Sequence, residues 1–145
     1  SSDVCSSDLD ASAAELIETR TVVETGALPM TMERMRRDPA VYERLSAAVD
    51  TFRRADDLSD WIRLDIAFHR RLLEESGLSP LVAFHGLLEV FFHRFRESVR
   101  RAEWKEAIHS HRRIIDALHA VKLAAANRIL RTHIESHRIR TRRKP

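Results

Sequence analysis

The sequence predicts an all-α fold, an antiparallel bundle of helices, and three observations carry that prediction. Only three glycines and four prolines interrupt 145 residues, fewer breaks than a turn-rich β fold requires. Apolar residues recur at separations of three and four along most of the chain, and no stretch alternates with the period of a strand. The candidate helices, about 15 to 23 residues each, follow one another through short connections, which makes neighbours antiparallel. A length of 145 residues fits one domain, and 43% hydrophobic with 32% charged residues describes a soluble globular chain. No apolar run approaches the 18 or so residues that would span a membrane.

Residues 1–9, SSDVCSSDL, show no periodicity and match the translation of a sequencing-library adaptor, AGT TCA GAC GTG TGC TCT TCC GAT CT. They are set aside from fold reasoning as an expected artefact. The single cysteine, Cys5, falls within them, so no thiol chemistry is expected and a reducing cytoplasm fits. The natural protein is then expected to continue upstream of Asp10. Residues 10–138 form the expected domain.

The first helix runs from Ala11 to about Arg37, with Leu16, Ile17, Val23, Ala27 and Leu28 in helical register and Gly26 and Pro29 expected to bend or break it. Asp38 and Pro39 read as an N-cap and first helical residue. The helix they open carries Val41, Leu45, Ala48 and Phe52 on one face and ends near Ala55. A third spans about Leu58 to Ser76 and stops at Gly77. Ser79 and Pro80 repeat the cap pattern and open a long fourth helix to about Arg101, with Leu81, Phe84, Leu88, Phe91 and Phe95 as a continuous stripe. The fifth and sixth run from about Trp104 to Val121 and Leu123 to Arg138. Residues 139–145 form a basic tail; five of the last eight residues are Arg or Lys, and no aromatic residue interleaves with them to stack on bases.

Polar residues interrupt three of the apolar stripes. In the third helix Ile62, Asp65, His69 and Leu72 are spaced 3, 4 and 3 apart, which sets a carboxylate and an imidazole on a core-facing row. His111 lies in the row Ile108, His111, Ile115, Leu118, and His133 in the row Ala126, Leu130, His133, His137. His109 and His93 fall among charged residues and should be solvated; His85 and His119 lie on flanks that the pattern leaves open. Burying a carboxylate without a partner costs several kcal/mol, and one cation would satisfy Asp65, His69, His111 and His133 together. Asp65 and His69 have the i, i+4 spacing at which one helical turn chelates an ion. His111 and His133 lie about 10 and 12 residues out from a turn near Ala120 to Lys122, at similar heights on a hairpin. The rival is a buried pair of Asp65 with His69 or an arginine, each histidine being bonded to a backbone carbonyl.

These residues also resemble the all-helical C-terminal effector domain, FCD, of GntR-type bacterial transcription regulators of the FadR subfamily. The resemblance covers about Ala14 to His137. It rests on ETRTVVE, similar to an opening E-x-R-x-x-x-E helix, on DIAFHRRLLEESG, similar to a D-x-x-F-H segment, and on HRRIIDAL and RILRTHI, 22 residues apart from histidine to histidine. SGLSPL departs from the pattern by lacking the asparagine often found after Ser-Gly, as does Pro29 within the first helix. The resemblance implies a six- or seven-helix antiparallel bundle enclosing a metal and effector pocket. Asp65, His69, His111 and His133 would hold the divalent ion, zinc or nickel before manganese or iron. It further implies a small carboxylate effector, a homodimer, and DNA contact through an N-terminal winged helix-turn-helix domain that this chain lacks.

Arg20, one turn from Glu24 on the edge of the first apolar row, could clamp the carboxylate with its fork of donors or simply pair with Glu24. A regulator is expected rather than an enzyme. The alternative, a metal-dependent hydrolase or isomerase on a helical bundle, has only Glu24 as a candidate base.

Overall fold

The computed structural model describes residues 12–95, 100 and 103–142, with side chains described except at 85 and 137–142. Residues 1–9 with Cys5, the far end of the expected fourth helix and residues 143–145 lie outside the described residues. Among the described residues there are helices and no strand, as the sequence predicts. The α-helices are α1 (Ala13–Arg37), α2 (Pro39–Asp50), α3 (Leu58–Glu74), α4 (His85–Phe95), α5 (Trp104–His119) and α6 (Leu123–Arg142).

Local chemistry sets their ends. Ser12 and Glu15 form a reciprocal capping box, the Glu15 amide donating to Ser12 Oγ at 3.2 Å and the Ser12 amide to Glu15 Oε2 at 2.7 Å. Asp38 precedes a proline, which disfavours helical backbone, so it ends α1 and its carboxylate then caps α2 through the Ala40 amide. Asp57 caps α3 by accepting from the Asp60 amide at 2.8 Å. The α5–α6 hairpin closes with a Schellman pair, Lys122 N to Ala117 O at 2.8 Å and Val121 N to Leu118 O at 3.0 Å. Val121 takes the left-handed position usual for glycine there, at φ 59°. This tight closure fixes the relative height of α5 and α6.

Three expectations are corrected. Pro29 does not break α1, which continues through it to Arg37. The proline is exposed, so the carbonyl it deprives of an amide partner can turn to water. The fourth helix does not start at Ser79: Ser79–Phe84 is a 3-10 segment, and α4 begins at His85. Phe84 is accordingly 43% exposed instead of continuing the stripe. The sixth helix extends to Arg142, beyond Arg138.

The helices surround one apolar core in which Leu28, Leu45, Phe68, Leu72, Ile115 and Leu130 are fully buried. Phe91, Phe92 and Phe95 of α4 are also buried within this single chain, so the surplus of phenylalanine fills a thick core. Arg44 of α2 reaches the buried Glu75 with two hydrogen bonds, 2.6 and 2.9 Å, and Arg34 of α1 donates to the carbonyls of Glu74 and Glu75. Those contacts hold the C-terminal end of α3 against α1 and α2.

Candidate metal centre

Helix α3 presents Asp65 and His69 on one turn, α5 presents His111, and α6 presents His133; one donor atom from each lies within 4.8 Å of all the others. His69 Nε2 is 3.2 Å and His111 Nε2 3.1 Å from the same carboxylate oxygen, Asp65 Oδ1. The Nε2 atoms of His111 and His133 are 3.1 Å apart. His69 and His111 are wholly buried and Asp65 nearly so, whereas His133 retains 9% exposure. Phe68 and Phe52 pack on the His111 ring, with centroids 4.4 and 4.9 Å away. His109 and His93 are exposed, as expected, and so is His119, whose ring lies against Tyr42.

The electrostatics suit a cation. Burial pushes the Asp65 carboxyl up, but the His111 and His69 imidazoles beside it outweigh burial and hold it well below the usual carboxylate range. Burial, reinforced by its histidine neighbours, holds His133 well below the ordinary imidazole value, and burial lowers His111 despite Asp65. The donor set at neutral pH is therefore a carboxylate with His111 and His133 neutral, their lone pairs available. Asp65 Oδ1 and His69 Nε2 approach closely without hydrogen-bond directionality, and among the described residues neither atom has another hydrogen-bond partner. Buried polar atoms without a well-directed hydrogen bond are costly when left alone, and a divalent ion among them would engage both. The residues fit a metal on this ground. The sequence-level rival is present in part, since Asp65 does sit beside His69, but that pair leaves the inward turn of His133 unexplained.

Two further charged groups adjoin these four. Glu24 of α1 is 1% exposed and touches His69 Nδ1 with Oε1, while its Oε2 accepts from Arg20 Nε at 2.5 Å. Burial raises Glu24, but the charges of Arg20 and His69 bring it below its usual value. Burial lowers His69, and the Glu24 charge more than restores it, so its value lies above the ordinary one. Arg20 lies in the interior, 1% exposed, and not on the edge of its row as the sequence suggested. Its guanidinium carbon stands 4.4 Å from the Phe91 ring centroid and 5.2 Å from that of Phe92. The ion pair with Glu24 exists, yet Nη1 and Nη2 are buried with no hydrogen-bond partner among the described residues. Both readings of Arg20 are thus compatible, because the pair occupies only Nε.

Sequence reasoning did not place Glu24 in the site. The signal was available: Ile17, Thr21, Glu24, Leu28, Thr31 and Met35 follow one another at spacings of 4, 3, 4, 3 and 4, and all six are buried. His133, the least deeply buried of the four at 9% exposure, also lines a groove of about 270 Å³ between α5 and α6, with Ser110, Arg113, Arg128 and Thr132 around it.

Fold and site together define an all-helical binding domain whose polar interior is held by side chains from four helices. The FCD domain family model matches residues 15–136, and the chain belongs to that family, the effector-binding domain of GntR-type transcription regulators. A comparison with curated proteins gave no match. No helix among the described residues is long and apolar enough to cross a membrane.

Proposed function

We propose that residues 10–138 form a metal-dependent sensor of a small carboxylate, whose occupancy governs how a GntR-type regulator presents its DNA-binding domain. The observation that carries this reading is the convergence of Asp65, His69, His111 and His133 from three helices to within 4.8 Å. An ion held by these four would supply a positive centre with up to two further coordination positions, suited to a carboxylate oxygen. The donor set suits zinc or nickel, with manganese and iron also compatible.

Arg20 supplies the second contact. Its two Nη groups are buried with no partner among the described residues, the guanidinium lying beside the Phe91 and Phe92 rings, where a planar fork would grip a carboxylate in two hydrogen bonds. A ligand bridging helices in this way shifts the domain between arrangements only by binding one of them better, and a homodimer would transmit the shift to paired DNA readers. The hydrolase reading draws no support from Glu24, which is buried and engaged by Arg20 and His69.

Calorimetric titration of small mono- and dicarboxylates into zinc-loaded protein tests the proposal. At least one acid is expected to bind the wild type, and Asp65→Ala and His133→Ala are expected to weaken it tenfold or more, on the order of 1.4 kcal/mol or above. Equal affinity in all three proteins contradicts it.

A further inference from the structure

We infer that Glu24 is a positioning residue that couples the cation site to the anion-gripping arginine, a role resting on the metal-dependent reading above. The geometry is that of one carboxylate shared between two helices' worth of donors. Oε1 meets His69 Nδ1 on α3, and Oε2 takes Arg20 Nε from the preceding turn of α1. All three side chains are 0–1% exposed, so water does not substitute for any of these contacts.

Each bond has a consequence on the far side of the group it holds. A hydrogen bond from Nδ1 to Glu24 keeps a proton of His69 on Nδ1, so the nitrogen the ring would offer a cation is Nε2, which faces Asp65 Oδ1 at 3.2 Å. That is the tautomer a metal ligand requires. The bond to Arg20 Nε orients the planar guanidinium over Phe91 with Nη1 and Nη2 buried where no group among the described residues accepts from them. Glu24 thus sets which nitrogen His69 offers and which nitrogens Arg20 offers.

A carboxylate is needed at this position because two donors converge on it. Glutamine has the same shape but only one acceptor oxygen; its NH₂ must then face either the Nδ1–H of His69 or the Nε–H of Arg20, donor against donor. A cation held on Nε2 would withdraw electron density from His69 and strengthen its bond to Oε1, and the change would reach Arg20 through Oε2. The two ligand sites are coupled through this single side chain, and such coupling is reciprocal.

Zinc alone is the probe. In wild-type protein labelled with ¹⁵N, zinc is expected to bind His69 at Nε2 with Nδ1 protonated, and to shift the Arg20 Nε–H resonance. Glu24→Gln is expected to weaken zinc about 10- to 100-fold in competition with a chelator, and to abolish the zinc-dependent shift at Arg20. Nδ1 ligation in the wild type, which needs no variant to fold, overturns the inference. So does a folded Glu24→Gln protein with wild-type zinc affinity. Failure of the wild type to take up zinc, nickel, manganese and iron alike would instead overturn the sensor reading itself, so the two failures are distinguishable.

Discussion

Zinc in thousandfold excess over its dissociation constant is expected to raise the melting temperature of the wild-type domain by about 8–16 °C, and excess chelator to reverse the rise. An ion that binds only the folded state stabilises it by about 4 kcal/mol at that excess, and a domain of this size gains roughly 2–4 °C per kcal/mol. The four donors come from α3, α5 and α6, so the unfolded chain has no preformed site to compete. Asp65→Ala and His133→Ala each remove a donor and are expected to show no more than a small shift with zinc. The comparison is made by thermal unfolding with and without metal. A wild-type melting temperature indifferent to zinc, nickel, manganese and iron would contradict the account.

Phe68→Ala is expected to cost about 3–5 kcal/mol, the range for truncating a fully buried aromatic ring. Phe68 is 0% exposed and stands where the core meets the site, its ring 4.4 Å from that of His111 and 5.3 Å from that of His69. Truncation therefore opens a cavity beside two of the four donors. The Ala variant is expected to bind zinc more weakly than the wild type, because His111 loses one of the two rings that hold its orientation. Phe68→Leu refills most of the volume and is expected to recover much of both losses. Urea unfolding midpoints measure the first effect and chelator competition the second. A Phe68→Ala protein within about 1 kcal/mol of wild type would show that the ring is not the support described here.

Helix order and the four inward donors were legible in the sequence because both depend on local spacing. Asp65, His69, His111 and His133 each sit on a 3–4 row of apolar neighbours, and a single chain is enough to read that. The cap at Asp38–Pro39 was legible for the same reason. What spacing alone misread was the effect of context on prolines. Pro29 falls on an exposed face, where one lost hydrogen bond is tolerated, and α1 runs on. Pro80 follows a serine as Pro39 follows an aspartate, yet it opens a 3-10 segment with no buried residue, because Leu81 and Val82 are only half-covered and Phe84 is exposed.

The contact of Glu24 with His69 was missed for a different reason. A carboxylate four residues from an arginine reads as a surface ion pair, and only the burial of the whole row from Ile17 to Met35 turns the pair inward. The orientation of Arg20, with Nε bound and both Nη groups unpartnered, depends on Phe91 and Phe92 of a distant helix and is not written in any local pattern.

X-ray absorption at the metal edge of zinc-loaded protein tests the central claim most directly. The account predicts an ion ligated by three imidazole nitrogens and a carboxylate oxygen at about 2.0–2.2 Å, with the histidine contribution reduced in His133→Ala. A zinc environment of solvent oxygens alone, unchanged by that substitution, would contradict it.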